Sequence, residues 1–211
     1  RVVDARDMVV APGFISAHNH VGYTIFRGLS EEAGLNCVTG MYFPMATVLS
    51  RDERRAIGSL TFAELLRSGV TTVLEMEEEV DVYAEFVDRL GMRSAMGTMI
   101  FDLDVDSMIT GEYRYDAELT KRALAQATDF AEKWHRKANG RIQAMITPNM
   151  SISSSPELLQ GCRAVADRLG IRLSTHAGWG EMEGEIIGRL HGVSPFEYFR
   201  NNGLLGHDVI T

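Results

Sequence analysis

The sequence predicts an α/β fold in which parallel strands alternate with crossover helices, the pattern of an incomplete (β/α)8 barrel of the TIM type with about strands 1 to 6 present. Three observations carry that prediction. First, a helical pattern ends in glycine and a β-rich run follows at once: Ser68-Gly69 before Val70–Leu74, Leu90-Gly91 before Met92–Met96, Asn139-Gly140 before Arg141–Ile146, and Leu169-Gly170 before Ile171–His176. Glycine just past a helix adopts the left-handed conformation without a Cβ penalty, so each instance reads as a helix stop and a strand start. Second, the first strand runs into His18-Asn19-His20, where a doubly wound nucleotide binder usually shows a GxGxxG phosphate loop. Third, His18, His20 and His176 fall at the C-terminal ends of strands, where a barrel carries its chemistry.

The elements follow in order. The apolar stretch from Val9 reads as the first strand, which ends near His18. A loop from about Gly28 to Leu49 separates it from the first helix. Ser50-Arg51-Asp52-Glu53 fits a capping box and opens a helix to about Arg67. The second strand ends near Leu74, and the acidic run Glu75 to Asp81 reads as a solvated loop and helix start; Glu75 facing a pocket is the lesser reading. A helix from about Val82 to Leu90 precedes the third strand, which ends near Ile100. The next helix spans about Asp116 to Ala138, with Leu119, Ala123, Ala127, Phe130 and Trp134 on one stripe as an amphipathic helix requires. The fourth strand ends near Ile146, and Ser155-Pro156 then places proline at the first helical position behind a serine cap. The fifth strand ends at His176, and a sixth begins at Asp208. Nothing divides residues 1–211, so they read as one partial barrel domain, short of the ~250 residues a whole barrel takes.

Composition narrows the function. Hydrophobic residues make up 45% of the chain and charged residues 24%, an ordinary soluble globular composition. A net charge of −8 argues against a nucleic-acid partner, which would need a basic face. No run approaches the ~18 apolar residues of a membrane span. The two cysteines, Cys37 and Cys162, form no CxxC motif, which points to a reducing, cytoplasmic compartment. The eleven methionines are scattered and read as core filling.

Side chains on a strand alternate, so residues i and i+2 point the same way. His18 and His20 can therefore close on one metal ion. Zinc takes imidazole nitrogens at roughly 2.0–2.1 Å, and catalytic zinc sites keep a position open for water. An isolated His-x-His more often marks exposed loop histidines. His176 changes that reading, because on a barrel its strand stands across the mouth from the first. His135 and His191 read as helix-end residues, where a cation suits the dipole, and His207 as a solvent-facing loop residue.

Pro12-Gly13-Phe14-Ile15 leading into His18-Asn19-His20 resembles the first barrel strand of the amidohydrolase superfamily. Arg27-Gly28-Leu29, Ser68-Gly69-Val70-Thr71-Thr72, His176, Ser194-Pro195-Phe196-Glu197-Tyr198-Phe199 and Gly203-Leu204-Leu205-Gly206 resemble one branch of it. That branch holds cytosine-deaminase-like, adenosylhomocysteine-deaminase-like and triazine-hydrolase-like (chlorohydrolase) enzymes. The resemblance implies one divalent metal ion, zinc or alternatively iron, with His18, His20 and His176 as ligands. No lysine ends the fourth strand, which argues against the two-metal variants. The family pattern continues with a histidine ending a sixth strand and an aspartate ending an eighth, beyond Thr211, and with a β-sandwich flanking the barrel. On this resemblance the chain reads as an internal piece of a longer protein.

Two departures bear on the reaction. Deaminases of this branch carry a glutamate proton shuttle three residues after the fifth-strand histidine; here that position is Trp179. Glu181 and Glu183 are weak substitutes and read as exposed helix carboxylates. The fourth strand often ends in a His-Ala-Pro-like element; here it reads Thr147-Pro148-Asn149, and Asn149 hydrogen-bonds but does not titrate. The expectation is a metal-dependent hydrolase acting on a C–N bond of a heterocycle or cyclic amide, with Tyr23, Arg27, Asn149 and Trp179 as substrate-binding candidates. The alternatives are a dechlorinating or amide-hydrolysing member of the same superfamily, and a non-catalytic barrel fragment. A small-molecule substrate and a homo-oligomeric state are what the resemblance implies.

Overall fold

The computed structural model describes residues 2–31, 37–42 and 48–211. Six strands, β1 (Phe14–Asn19), β2 (Val70–Glu77), β3 (Arg93–Ile100), β4 (Ile142–Pro148), β5 (Arg172–Ser174) and β6 (Val209–Ile210), form one sheet in sequence order. Every pairing is parallel, and the sheet curls into half a barrel. Parallel neighbours cannot be joined by a tight turn, so helices carry the chain back outside the sheet. These are α1 (Arg51–Arg67), α2 (Asp81–Leu90), the short α3 (Val105–Ile109), α4 (Ala117–Trp134), α5 (Pro156–Leu169), α6 (Glu181–His191) and α7 (Pro195–Asn201). No helix among the described residues is long and apolar enough to cross a membrane.

The predicted punctuation is present. Ser50 and Glu53 form a capping box at α1, and Ser155 caps α5 with Pro156 in its first turn. Gly91 and Gly170 end α2 and α5 in the left-handed conformation, with φ of 77° and 63°. The core lies between sheet and helices. Val73, Met96, Ile142 and Ile146 are buried from the strands, against Phe62, Tyr83, Ala127, Phe130, Leu158, Leu159 and Cys162 from the helices. Strands β3 and β4 approach closely at Gly97, where a Cβ would lie 2.5 Å from the Met145 carbonyl oxygen.

Four boundaries differ from the sequence reading. β1 begins at Phe14, and Val9 and Val10 stay exposed outside it. β2 continues through Glu77, so Glu75 and Glu77 are strand residues and fully buried, not members of a solvated loop. Helix α4 ends at Trp134, because Arg136, Ala138 and Asn139 take positive φ and the Arg136 N–H turns to the Ile142 carbonyl at 2.8 Å. β5 ends at Ser174, although His176 still bridges to Met150 in the parallel sense. The loop expected from Gly28 to Leu49 lies partly outside the described residues; within it, Val38–Tyr42 form one π-helical turn.

Candidate metal centre

Three imidazoles converge where the resemblance implies they would. His18 leaves β1, His20 follows it at the start of a 3-10 turn (Val21–Phe26), and His176 follows β5; one ligand nitrogen from each lies within 4.8 Å of the others. Backbone carbonyls set the two inner rings. His20 Nδ1 lies 2.5 Å from the Met76 carbonyl oxygen, and His176 Nδ1 lies 2.8 Å from that of Asn149. A carbonyl only accepts, so each Nδ1 carries the proton and each Nε2 presents a lone pair. Those two Nε2 atoms face each other at 3.0 Å. Two lone pairs at that distance repel unless a cation sits between them. Nitrogens sharing one tetrahedral zinc stand about 3.3 Å apart, from bond lengths of roughly 2.0–2.1 Å. The donor set therefore fits a divalent metal, and the Nδ1–H to carbonyl bonds are the usual outer support of ligating histidines.

The electrostatics keep these imidazoles neutral. Burial pushes the His20 imidazole down to about 3, helped by His176 and His18. Burial likewise lowers His18 and His176. Neutral imidazole is the form that binds metal.

The turn that carries His20 is held from beneath by β2. Residues Glu75 and Glu77 lie two apart on the strand and point the same way. Glu75 accepts hydrogen bonds from the Val21 N–H at 3.0 Å and the Asn19 side-chain amide at 2.8 Å. Glu77 accepts one from the Gly22 N–H at 2.9 Å. Gly22 allows that approach, since a Cβ there would sit 2.8 Å from the Glu77 carboxylate oxygen. Burial pushes the Glu75 carboxyl up to about 8 and Glu77 well above the usual carboxylate range.

The imidazoles open into a cavity of about 210 Å³ lined by His18, His20, Tyr23, Tyr42, Met99, Asn149, Met150, His176 and Trp179. Rings stack in a column from His176 over His20 and Tyr23 to Tyr42, with centroid separations of 5.1, 5.1 and 4.4 Å. Burial raises the Tyr23 hydroxyl beyond the phenol range, so it stays protonated. Asn149 Oδ1 lies 3.1 Å from His176 Nδ1. No carboxylate lines this cavity among the described residues.

Of the substrate-binding candidates, Tyr23, Asn149 and Trp179 reach the cavity and Arg27 does not. Arg27 is exposed and pairs with Glu64 of α1 at 2.7 Å on the outside of the fold. Glu181 is exposed at the start of α6. Glu183, read from sequence as exposed, is fully buried: its carboxylate accepts from Ser151 Oγ at 2.5 Å and from the Trp179 N–H at 2.8 Å. Tyr42, Met99 and Met150 escaped the sequence reading, because aromatic and methionine residues carry no spacing signal outside a regular element. His135 accepts from the Ala144 N–H, His191 stacks on Tyr198 and His207 is exposed, so none of them joins the centre.

The amidohydrolase family model matches residues 9–206. The chain belongs to the amidohydrolase family. Among its family relatives, the 5-methylthioadenosine/S-adenosylhomocysteine deaminase of Desulforudis audaxviator is 28% identical over 210 residues, 99% of this chain and 46% of that protein. The chain thus spans about half the length of the curated relatives it matches. In fold, it is similar to a zinc-bound adenosine deaminase from Xanthomonas campestris, with a TM-score of 0.79 and 23% identity over 94% of this chain and 43% of that one. It is similar in the same way to the atrazine chlorohydrolase of Arthrobacter aurescens complexed with zinc, with a TM-score of 0.75 and 18% identity over 94% of this chain and 47% of that one.

Proposed function

We propose that the protein is a metal-dependent hydrolase that cleaves a C–N bond of a heterocycle or cyclic amide, by deamination or a related hydrolysis. The observation that carries this reading is the 3.0 Å approach of His20 Nε2 to His176 Nε2, with both Nδ1 atoms committed to backbone carbonyls. His18 is the third ligand, and one zinc ion is the occupant the nitrogen donors favour, with iron as the alternative. When bound, such an ion would lower the pKa of a water toward ~7 and so supply hydroxide at neutral pH.

The chain's own residues do the rest. His20 and His176 present their Nε2 lone pairs without any change of protonation. Tyr23, Tyr42 and Trp179 offer flat faces to a planar ring. Asn149 spends its Oδ1 on His176 and leaves its Nδ2 to donate to a ring nitrogen or carbonyl. The neutral Tyr23 hydroxyl is a further donor. A substrate panel run with the protein as encoded tests the reading. Ammonia release from aminated purines, pterins or triazines, lost on metal chelation and restored by zinc, is expected; no turnover and no bound metal would sink it.

One observation favours a second reading. The cavity holds no carboxylate among the described residues, and Trp179 stands where the branch's deaminases carry their shuttle. Dechlorination, or hydrolysis of an activated amide, needs less proton delivery to the leaving group. Chloride release from a chlorotriazine without ammonia release from its amino counterpart would select it. Cytoplasmic residence, homo-oligomeric assembly and a single partial barrel domain over residues 1–211 complete the proposal, with solution mass as the check on assembly.

A further inference from the structure

The loop between β5 and α6 carries Trp179 into the cavity, yet little in its own sequence holds it there. Trp179 lies between Gly178 and Gly180, the two residue positions with the most backbone freedom. Gly178 has φ +71°, and Gly180, at the head of α6, provides no side-chain cap. Glu183 supplies the missing restraint. One carboxylate oxygen takes the Trp179 N–H at 2.8 Å and the other takes Ser151 Oγ at 2.5 Å. Ser151 directly follows Asn149 and Met150, both of which line the cavity. A single side chain therefore ties the loop after β5 to the loop after β4.

A helix cap alone would not look like this. The two capping-box glutamates among the described residues, Glu53 and Glu197, return to the hydroxyls of Ser50 and Ser194 in exposed settings. Glu183 is fully buried and turns its second oxygen to a different element. Burying a carboxyl group is costly unless it is hydrogen-bonded, and a surface glutamate would cap α6 without that cost. We propose that Glu183 is a positioning residue: it fixes Trp179 as one aromatic wall of the cavity, so that a flat ring is gripped between Trp179 and the stacked tyrosines. The proposal rests on the reading of this cavity as a heterocycle site.

The chain has two tryptophans, so Trp134→Phe leaves Trp179 as the only reporter. In that background, metal-free and ligand-free, Glu183→Ala is expected to red-shift Trp179 emission and raise acrylamide quenching at least about twofold, as a loosened loop would. Glu183→Gln keeps an acceptor for the Trp179 N–H and is expected to restore both values. Ser151→Ala, which removes one of the two bonds and leaves the carboxyl in place, is expected to fall between. Adenine and melamine, titrated as probes, are expected to bind about tenfold more weakly to Glu183→Ala than to its parent, the size of one lost aromatic contact. Unchanged Trp179 emission in Glu183→Ala alongside a lowered melting midpoint would reduce Glu183 to a helix cap and overturn the proposal. If Glu183→Ala does not fold, unchanged emission in Ser151→Ala overturns it equally. Failure of the parent protein to bind either probe counts against the heterocycle reading, while the emission measurements still judge Glu183.

Discussion

His20 and His176 meet Nε2 to Nε2 at 3.0 Å, although 156 residues separate them in the chain. Two strands on opposite sides of the curled sheet bring them together, and each ring is aimed before any ion arrives. A pre-aimed site loses little freedom on binding, so most of the ligand bond energy appears as affinity.

Removing one of these imidazoles is expected to cost more than the ~10–100-fold in metal affinity typical of losing an outer-shell partner. His176→Ala and His20→Ala should each abolish stoichiometric zinc, read by elemental analysis after dialysis. Retention of one zinc per chain in either variant would contradict the assignment.

The buried carboxyl of Glu75 makes stability depend on pH. Its pKa rises from 4.5 in the unfolded chain to about 8 in the fold. Above pH 4.5 the unfolded state binds fewer protons than the native state, so stability falls as pH rises from about 4.5 through about 8. The slope is at most about 1.4 kcal/mol per pH unit. Glu75→Gln, which cannot ionise, is expected to flatten this fall; urea midpoints measured across the window check it.

His20 pulls the other way in the metal-free protein. Its pKa falls from 6.5 to about 3 on folding. The unfolded state therefore gains a proton that the native state refuses, and stability is lost as pH drops below 6.5 toward 3. Saturating zinc should deepen the loss, since a bound ion would keep all three imidazoles unprotonated in the native state while the unfolded chain takes up protons. Thermal midpoints between pH 6.5 and pH 4, with and without zinc, distinguish the two curves.

Gly97 sits where β3 and β4 touch. Adding a methyl 2.5 Å from a backbone carbonyl oxygen leaves no flexible neighbour to yield. Gly97→Ala is expected to destabilise the fold by about 1–3 kcal/mol, the usual cost of overpacking, as read from chemical denaturation.

Arg27 offers a contrasting case. Its pairing with Glu64 is exposed, and neither residue lines the cavity. Arg27→Ala is expected to leave metal content, turnover and melting midpoint unchanged, and a selective rise in KM would return Arg27 to the site.

The strand–helix rhythm was readable because glycine stops and serine caps are local: each needs only a few neighbouring residues to act. The convergence of the three histidines was readable because parallel strand ends gather at one rim of a barrel. Glu75 and Glu77 were not, since an acidic run looks solvated until Val21 and Gly22, 54 and 55 residues earlier, supply the backbone donors that permit burial. Glu183 misled for the same reason, its partner Ser151 lying 32 residues away. The extent of β2 beyond Leu74 and the early end of α4 at Trp134 also depend on distant or loop geometry that no local pattern encodes.

The carbonyls that aim His20 and His176 belong to the main chain at Met76 and Asn149. Every amino acid brings the same carbonyl to those positions. A substitution at Met76, which does not line the cavity, keeps that carbonyl, whereas one at Asn149 changes the wall and also removes the Oδ1 contact to His176 Nδ1. The direction of these two imidazoles is thus written largely in backbone, while most of the side chains around them stay free to vary.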